Sequence, residues 1–159
     1  MNLNWEKAVE RLRAYPAGVH RLLPPCPEGR LEAVQSQLGK MPEELVDMLC
    51  QFDGAELFNK TGPFITLFGI TPPEPLDPFE WAPDWYIDKY TPEWRRASPG
   101  RDREWAIAMK CYGALAILNE DCVIREWETS LAAWSSIASP FSAWFEDLLK
   151  EGEAFLAED

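Results

Sequence analysis

The 159-residue chain contains one histidine, His20, and so lacks the raw material for most small-enzyme active sites. A Ser-His-Asp or Cys-His arrangement would have to use that residue. It sits in a connector flanked by proline and glycine with no marked nucleophile near it, so the expectation is a solvated loop histidine. Cysteine pairs at metal-ligand spacing are missing too. Cys26, Cys50, Cys111 and Cys122 are scattered, with no Cys-x-x-Cys to pre-form chelate geometry, and are expected to be buried free thiols. No Gly-x-Ser-x-Gly, P-loop or Gly-x-Gly-x-x-Gly occurs; Gly54, Gly62 and Gly69 lie in or beside turns and build no phosphate cradle. Acidic neighbours are plentiful, as in Glu43-Glu44, Glu120-Asp121 and Glu146-Asp147. Adjacent residues point to different sides of a helix, so these pairs are expected on solvated faces. Glu126 and Glu128 would project together from a strand, but two carboxylates alone specify no chemistry. The expectation is a protein without catalytic residues, cofactor or metal, and not an enzyme.

Long apolar runs are also absent: nothing approaches the roughly 20 residues of a membrane helix. The opening Met1-Asn2-Leu3-Asn4-Trp5-Glu6-Lys7 has no basic segment leading into an apolar stretch, so a cytoplasmic location is expected. Positive charge is in deficit, 15 basic against 27 acidic side chains, for a net charge of -12. Such a balance disfavours phosphate backbones and anionic membranes and attracts cationic partners, although acidity also serves solubility alone. The locally basic stretch Arg95, Arg96, Arg101, Arg103 and Lys110 lies near Trp94 and Trp105. Against the surrounding negative charge it fits internal ion pairs or a protein interface better than nucleic acid.

What the chain does hold is apolar mass. Hydrophobic residues make up 47%, aromatics 13%, and there are eight tryptophans, enough for one well-packed domain over residues 1–159. Trp5, Ala8, Val9 and Leu12 predict a helix over residues 4–14, and Leu31, Val34 and Leu38 a second over 28–38. A third begins at Pro42, with Glu43 and Glu44 in its first turn and Leu45, Met48, Leu49 and Phe52 on its apolar face. Short aromatic or β-branched runs then predict strands at 55–58, 64–68, 105–109, 115–118 and 123–127, paired antiparallel in order. Between them, residues 71–103 carry seven prolines with Trp81, Trp85 and Trp94, and are predicted to form a loop broken by a short helix at 84–90. Ser139 and Pro140 open a closing helix with an apolar stripe of Phe141, Trp144, Phe145, Leu148 and Leu149, ended by Gly152 before a loosely held tail. Helices, then strands, then a helix make an α+β fold.

The order Leu23-Pro24-Pro25, Leu38-Gly39, Met41-Pro42-Glu43-Glu44-Leu45 and Phe52-Asp53-Gly54-Ala55-Glu56-Leu57-Phe58 resembles the SUKH superfamily, the Smi/Knr-type domain. Leu67-Phe68-Gly69, Trp105-Ala106-Ile107-Ala108, Tyr112-Gly113-Ala114 and Val123-Ile124-Arg125-Glu126-Trp127 extend the resemblance over about residues 22–151. It departs where Asp53-Gly54-Ala55 stands for the usual Asn-Gly-Gly, and in the length of the 71–103 segment. The resemblance implies a curved, mainly antiparallel sheet packed by N-terminal helices and a C-terminal helix. It also implies a non-catalytic immunity protein that neutralises a cognate polymorphic toxin, often a nuclease; fungal members regulate cell-wall synthesis through protein contacts.

The partner expected is therefore a basic toxin protein, with no nucleic acid or membrane, bound by a monomer or weak homodimer. Trp81, Asp84, Trp85, Tyr86, Asp88 and Trp94, with Glu80, are the candidate surface, joined by Glu126 and Glu128; the competing reading is that these rings close the core. A scaffold or regulatory adaptor of the same fold is the alternative function. An enzyme would instead depend on His20 or on Glu126 and Glu128.

Overall fold

The alternation of apolar runs and tight turns after residue 54 folds as an antiparallel meander. The computed structural model describes residues 3–73 and 85–158. Strands β1 (Arg21–Leu22), β2 (Ala55–Asn59), β3 (Pro63–Leu67), β4 (Trp105–Lys110), β5 (Ala114–Leu118), β6 (Val123–Glu128) and β7 (Ala133–Trp134) pair in chain order, and β8 (Ser139–Pro140) also pairs with β6. All of these pairings are antiparallel. The central strands β4 and β5 are buried at every residue, which explains why both lack an apolar–polar alternation: both of their faces are covered. The outermost strands are two residues long, too short to recruit another chain's strand.

Five helices complete the α+β fold: α1 (Trp5–Arg13), α2 (Glu28–Leu38), α3 (Glu43–Gln51), α4 (Ile87–Arg96) and α5 (Phe141–Ala157). Asn4 caps α1, its side chain accepting from the Lys7 N–H at 3.2 Å. Neighbouring residues of β6 show how the layers lie. Glu126 meets Trp144 of α5, whereas Trp127 meets Trp94 of α4. Successive strand residues point to opposite faces, so α4 and α5 cover opposite sides of the sheet. Trp5 of α1 packs its ring against Phe141 and Phe145 of α5, so α1 sits against that helix.

The connector after β1 is extended and bonded to the segment that follows α3: Asp53 N–H donates to Pro24 and Leu23 N–H to Gly54. Around Asp53 the backbones nearly touch. A Cβ on Gly69 would lie 2.2 Å from the Asp53 carbonyl oxygen, so only glycine fits. The Asp53 carboxylate accepts from the Ile70 N–H at 2.7 Å and pairs with Arg30 at 2.6 Å, while Arg30 also donates to the Thr71 carbonyl. Burial pushes the Asp53 carboxyl above its ordinary range, against the opposing pull of Ile70 and Arg30. Asp53-Gly54 and Phe68-Gly69 thus form one knot holding α2 to the sheet.

Several expectations are corrected. Helix α4 starts at Ile87 and runs to Arg96, later and longer than the 84–90 segment. Ser139 does not cap α5; it pairs with Ile124 in the sheet. Gly152 does not end α5, which continues to Ala157, and the tail is held as Phe155 packs on Phe64. His20 is not solvated: its ring lies edge-on between Tyr15 and Phe58, and Nδ1 accepts from the Phe58 N–H at 3.1 Å. Only Cys26 of the four thiols is buried; Cys50 and Cys111 are exposed and Cys122 is intermediate. Burial pushes the Cys26 thiol up to about 12, leaving it unreactive near neutral pH. Glu44 also leaves the solvated set, being buried and accepting from the Leu3 N–H.

Candidate functional site

Helix α4 buries Ile87, Thr91 and Trp94 at helical spacing, and this choice of face positions most of the expected surface. At its start the aromatics turn inward. Trp85 and Tyr90 pack their rings on Phe68 at 6.0 and 5.8 Å, and Asp88 accepts from both the Thr71 N–H and hydroxyl at 2.9 Å. Tyr86 precedes the first helical residue and is half-buried. Trp85 and Asp88 thus clamp α4 to the end of β3, which serves packing first. Trp81 and Asp84, with Glu80, lie outside the described residues.

Trp94 lies at a second, larger aromatic centre. Its Nε1–H donates to Glu104 at 3.0 Å, and its ring meets Trp127 at 5.3 Å and Trp134 at 5.7 Å. Trp127 and Trp134 face each other across the β6–β7 pair with centroids 5.1 Å apart. The three interplanar angles, 79°, 69° and 84°, are the edge-to-face arrangement that the ring quadrupoles favour. Two guanidinium groups lie on this cluster. Arg101 sits 3.6 Å from the Trp94 centroid and 5.1 Å from that of Trp127, and Arg125 sits 4.6 Å from Trp134.

Trp94 is almost fully buried, whereas Trp127 and Trp134 are half-buried. Beside them a groove of about 460 Å³ is lined by Tyr90, Glu93, Trp94, Arg101, Leu115 and Trp127, among others. The segment after β6 brings two apolar side chains into solvent, Leu131 at 74% exposure and Ile137 at 89%. Leu131 lies in the turn before β7 and Ile137 in the segment after it, and tryptophan and arginine are residue types enriched in protein interfaces.

Glu126 is not part of that surface. It lies on the α5 side of the sheet, where it accepts from the Trp144 indole at 2.9 Å and pairs with Lys110 at 2.7 Å. Lys110 is 3% exposed and also reaches Glu151 of α5 at 2.7 Å. Burial alone would lower the Lys110 pKa, but the hydrogen bonds to the two carboxylates hold it above its ordinary value. Glu128 shares the strand face of Glu126 and turns to Ser130, accepting from its hydroxyl at 2.9 Å. Both are structural in their contacts.

The other basic residues are mostly bound internally. Arg95 donates to the Leu38 and Glu104 carbonyls and covers the Trp105 ring, and Arg103 pairs with Glu120 at 2.8 Å. Among the described residues no group of three or more His, Cys, Asp or Glu is placed to hold a metal ion, and no helix is long and apolar enough to cross a membrane.

Trp134 is not among the residues singled out from the sequence, and Trp127 enters there as the end of a predicted strand and of the Val123-Ile124-Arg125-Glu126-Trp127 motif, not as a site residue. A usable signal existed: a strand ending in Trp127-Glu128, a short Thr-Ser-Leu-Ala turn, then Ala133-Trp134 is hairpin spacing that places the two rings opposite each other. No protein-family model matches the chain, and no curated protein matches it in sequence.

Proposed function

We propose that this chain is a non-catalytic protein-binding domain, an immunity protein that neutralises a basic toxin, binding it through the Trp94–Trp127–Trp134 surface. The observation that carries the reading is the edge-to-face set of Trp94, Trp127 and Trp134 with Arg101 and Arg125 stacked on it, flanked along the chain by exposed Leu131 and Ile137. Large rings already fixed by their neighbours lose little entropy when a partner covers them, which is why such clusters become binding hot spots. The net charge of -12 adds long-range attraction for a cationic toxin such as a nuclease. The resemblance to SUKH domains, whose bacterial members typically act in this way, supplies the biological role.

The test is co-expression with a secreted toxin encoded beside this chain. Growth should be rescued by the parent chain and lost with Trp127→Ala/Trp134→Ala. Absence of rescue, with no complex on a sizing column, would overturn the immunity role and leave the regulatory adaptor.

A further inference from the structure

Part of the wall of the groove beside Trp94 is the protein's own cation, stacked on the aromatic rings. Arg101 follows the exposed Pro99-Gly100 turn at the end of α4. Its guanidinium lies on the Trp94 and Trp127 rings and donates one hydrogen bond, to the Trp94 carbonyl at 3.2 Å. No carboxylate among the described residues pairs with it, in contrast to Arg11, Arg30 and Arg103. A guanidinium has five donors, so this one keeps most of its hydrogen-bonding capacity for solvent. Glu93, one helical residue before Trp94, lines the same groove, is exposed, and has no cationic partner among the described residues. The groove therefore combines aromatic faces that accept a cation with a carboxylate that the stacked Arg101 does not pair with. An incoming guanidinium could take the ring faces and gain Glu93 as well, while Arg101 swings out on its surface turn into water.

We propose that this groove is a receptor for an arginine side chain of the protein partner, and that Arg101 is an internal stand-in displaced on binding. The proposal rests on the protein-binding reading given above and adds the chemistry of its central contact. An arginine is favoured over a lysine because a planar group stacks on indole faces and still pairs with a carboxylate in its plane. Basic proteins present such side chains, which agrees with the acidic balance of the chain.

The test needs no partner. N-acetyl-arginine amide is titrated into the parent chain and into Arg101→Ala while indole N–H signals are followed by NMR, with N-acetyl-citrulline amide as the uncharged control. Arg101→Ala should bind the arginine compound at least about tenfold more tightly than the parent, because the competing internal cation is gone. Glu93→Gln in that background should weaken binding by about fivefold, and the citrulline compound should produce no saturable shift. Equal affinity for the parent and Arg101→Ala, or equal response to citrulline, would overturn the proposal. The parent chain supplies an independent reading should Arg101→Ala prove unfolded. The Arg101 Nε–H signal should move toward its solvent value as the compound saturates the groove; indole shifts that saturate while it stays fixed would contradict displacement. These outcomes do not depend on toxin neutralisation, so either reading can fail without the other.

Discussion

Two ionisable side chains, His20 and Lys110, owe their roles to neighbours distant in sequence. His20 is half-buried and hydrogen-bonded through Nδ1 to the Phe58 N–H, a contact that requires the neutral ring. Burial lowers its pKa to about 4 from an ordinary 6.5. The unfolded chain therefore binds the proton more readily than the folded one, so this contribution is complete above pH 6.5 and is lost as pH falls toward 4. Between pH 7 and 5 the loss should be about 1 kcal/mol after discounting for partial exposure. In His20→Asn, whose side-chain oxygen can accept from Phe58 without titrating, urea-unfolding free energies should fall by that much less; equal pH slopes would contradict the assignment. Lys110 is the opposite case, a buried charge that stays charged because Glu126 and Glu151 surround it. Lys110→Met should cost about 3 kcal/mol, because it strands the Glu126 carboxylate away from water. Adding Glu126→Gln removes that charge and keeps an acceptor for the Trp144 indole, so the double variant should recover much of the loss. A double variant no more stable than Lys110→Met would show that the charge pair is not what is being measured.

At the scale of elements, α5 and β2 fit together through an unusual backbone conformation in one and an absent side chain in the other. Phe58 has φ of 56° inside β2, where Leu57 and Asn59 pair with β3 and Phe58 does not. This left-handed residue, set in an unbroken register, lies under α5 at Gly152, where an added Cβ would lie 2.1 Å from the ring. On helix propensity alone Gly152→Ala should stabilise α5 by about 1 kcal/mol. Because the ring is fully buried and cannot yield, the change should instead destabilise by about 1–3 kcal/mol, and Phe58→Leu in the same chain should recover part of it. Thermal melts of the three variants decide; a stabilised Gly152→Ala would show the contact to be loose. This glycine also marks the limit of what was legible in the sequence. Helices α2 and α3 and strands β2 to β6 were readable because their apolar spacing or turn residues are local signals. Gly152 looked like a stop because its reason lies in Phe58, 94 positions earlier. Strands β1, β7 and β8 escaped because two residues carry no periodicity. For the same reason the site was legible only in part: Trp94 is among the candidates the sequence offers, while its burial within α4 beside Trp127 and Trp134 depends on helix extent and sheet register.

For the whole molecule, the central claim is that an acidic chain binds a basic protein through one aromatic centre. Charge and rings then have separable effects. The net charge of -12 acts at long range and is screened by salt, whereas the ring contacts act only on contact and are not. Raising salt from 0.05 to 0.5 M should therefore slow association, and removal of the rings should speed dissociation. The most direct measurement is calorimetric titration of the purified chain with the proposed toxin partner, repeated with Trp127→Ala/Trp134→Ala after confirming that the variant is folded. A saturable complex with the parent chain, weakened by about 30-fold or more in the variant, is the result predicted. A complex of unchanged affinity in the folded variant, or no complex with the parent chain at all, would contradict it.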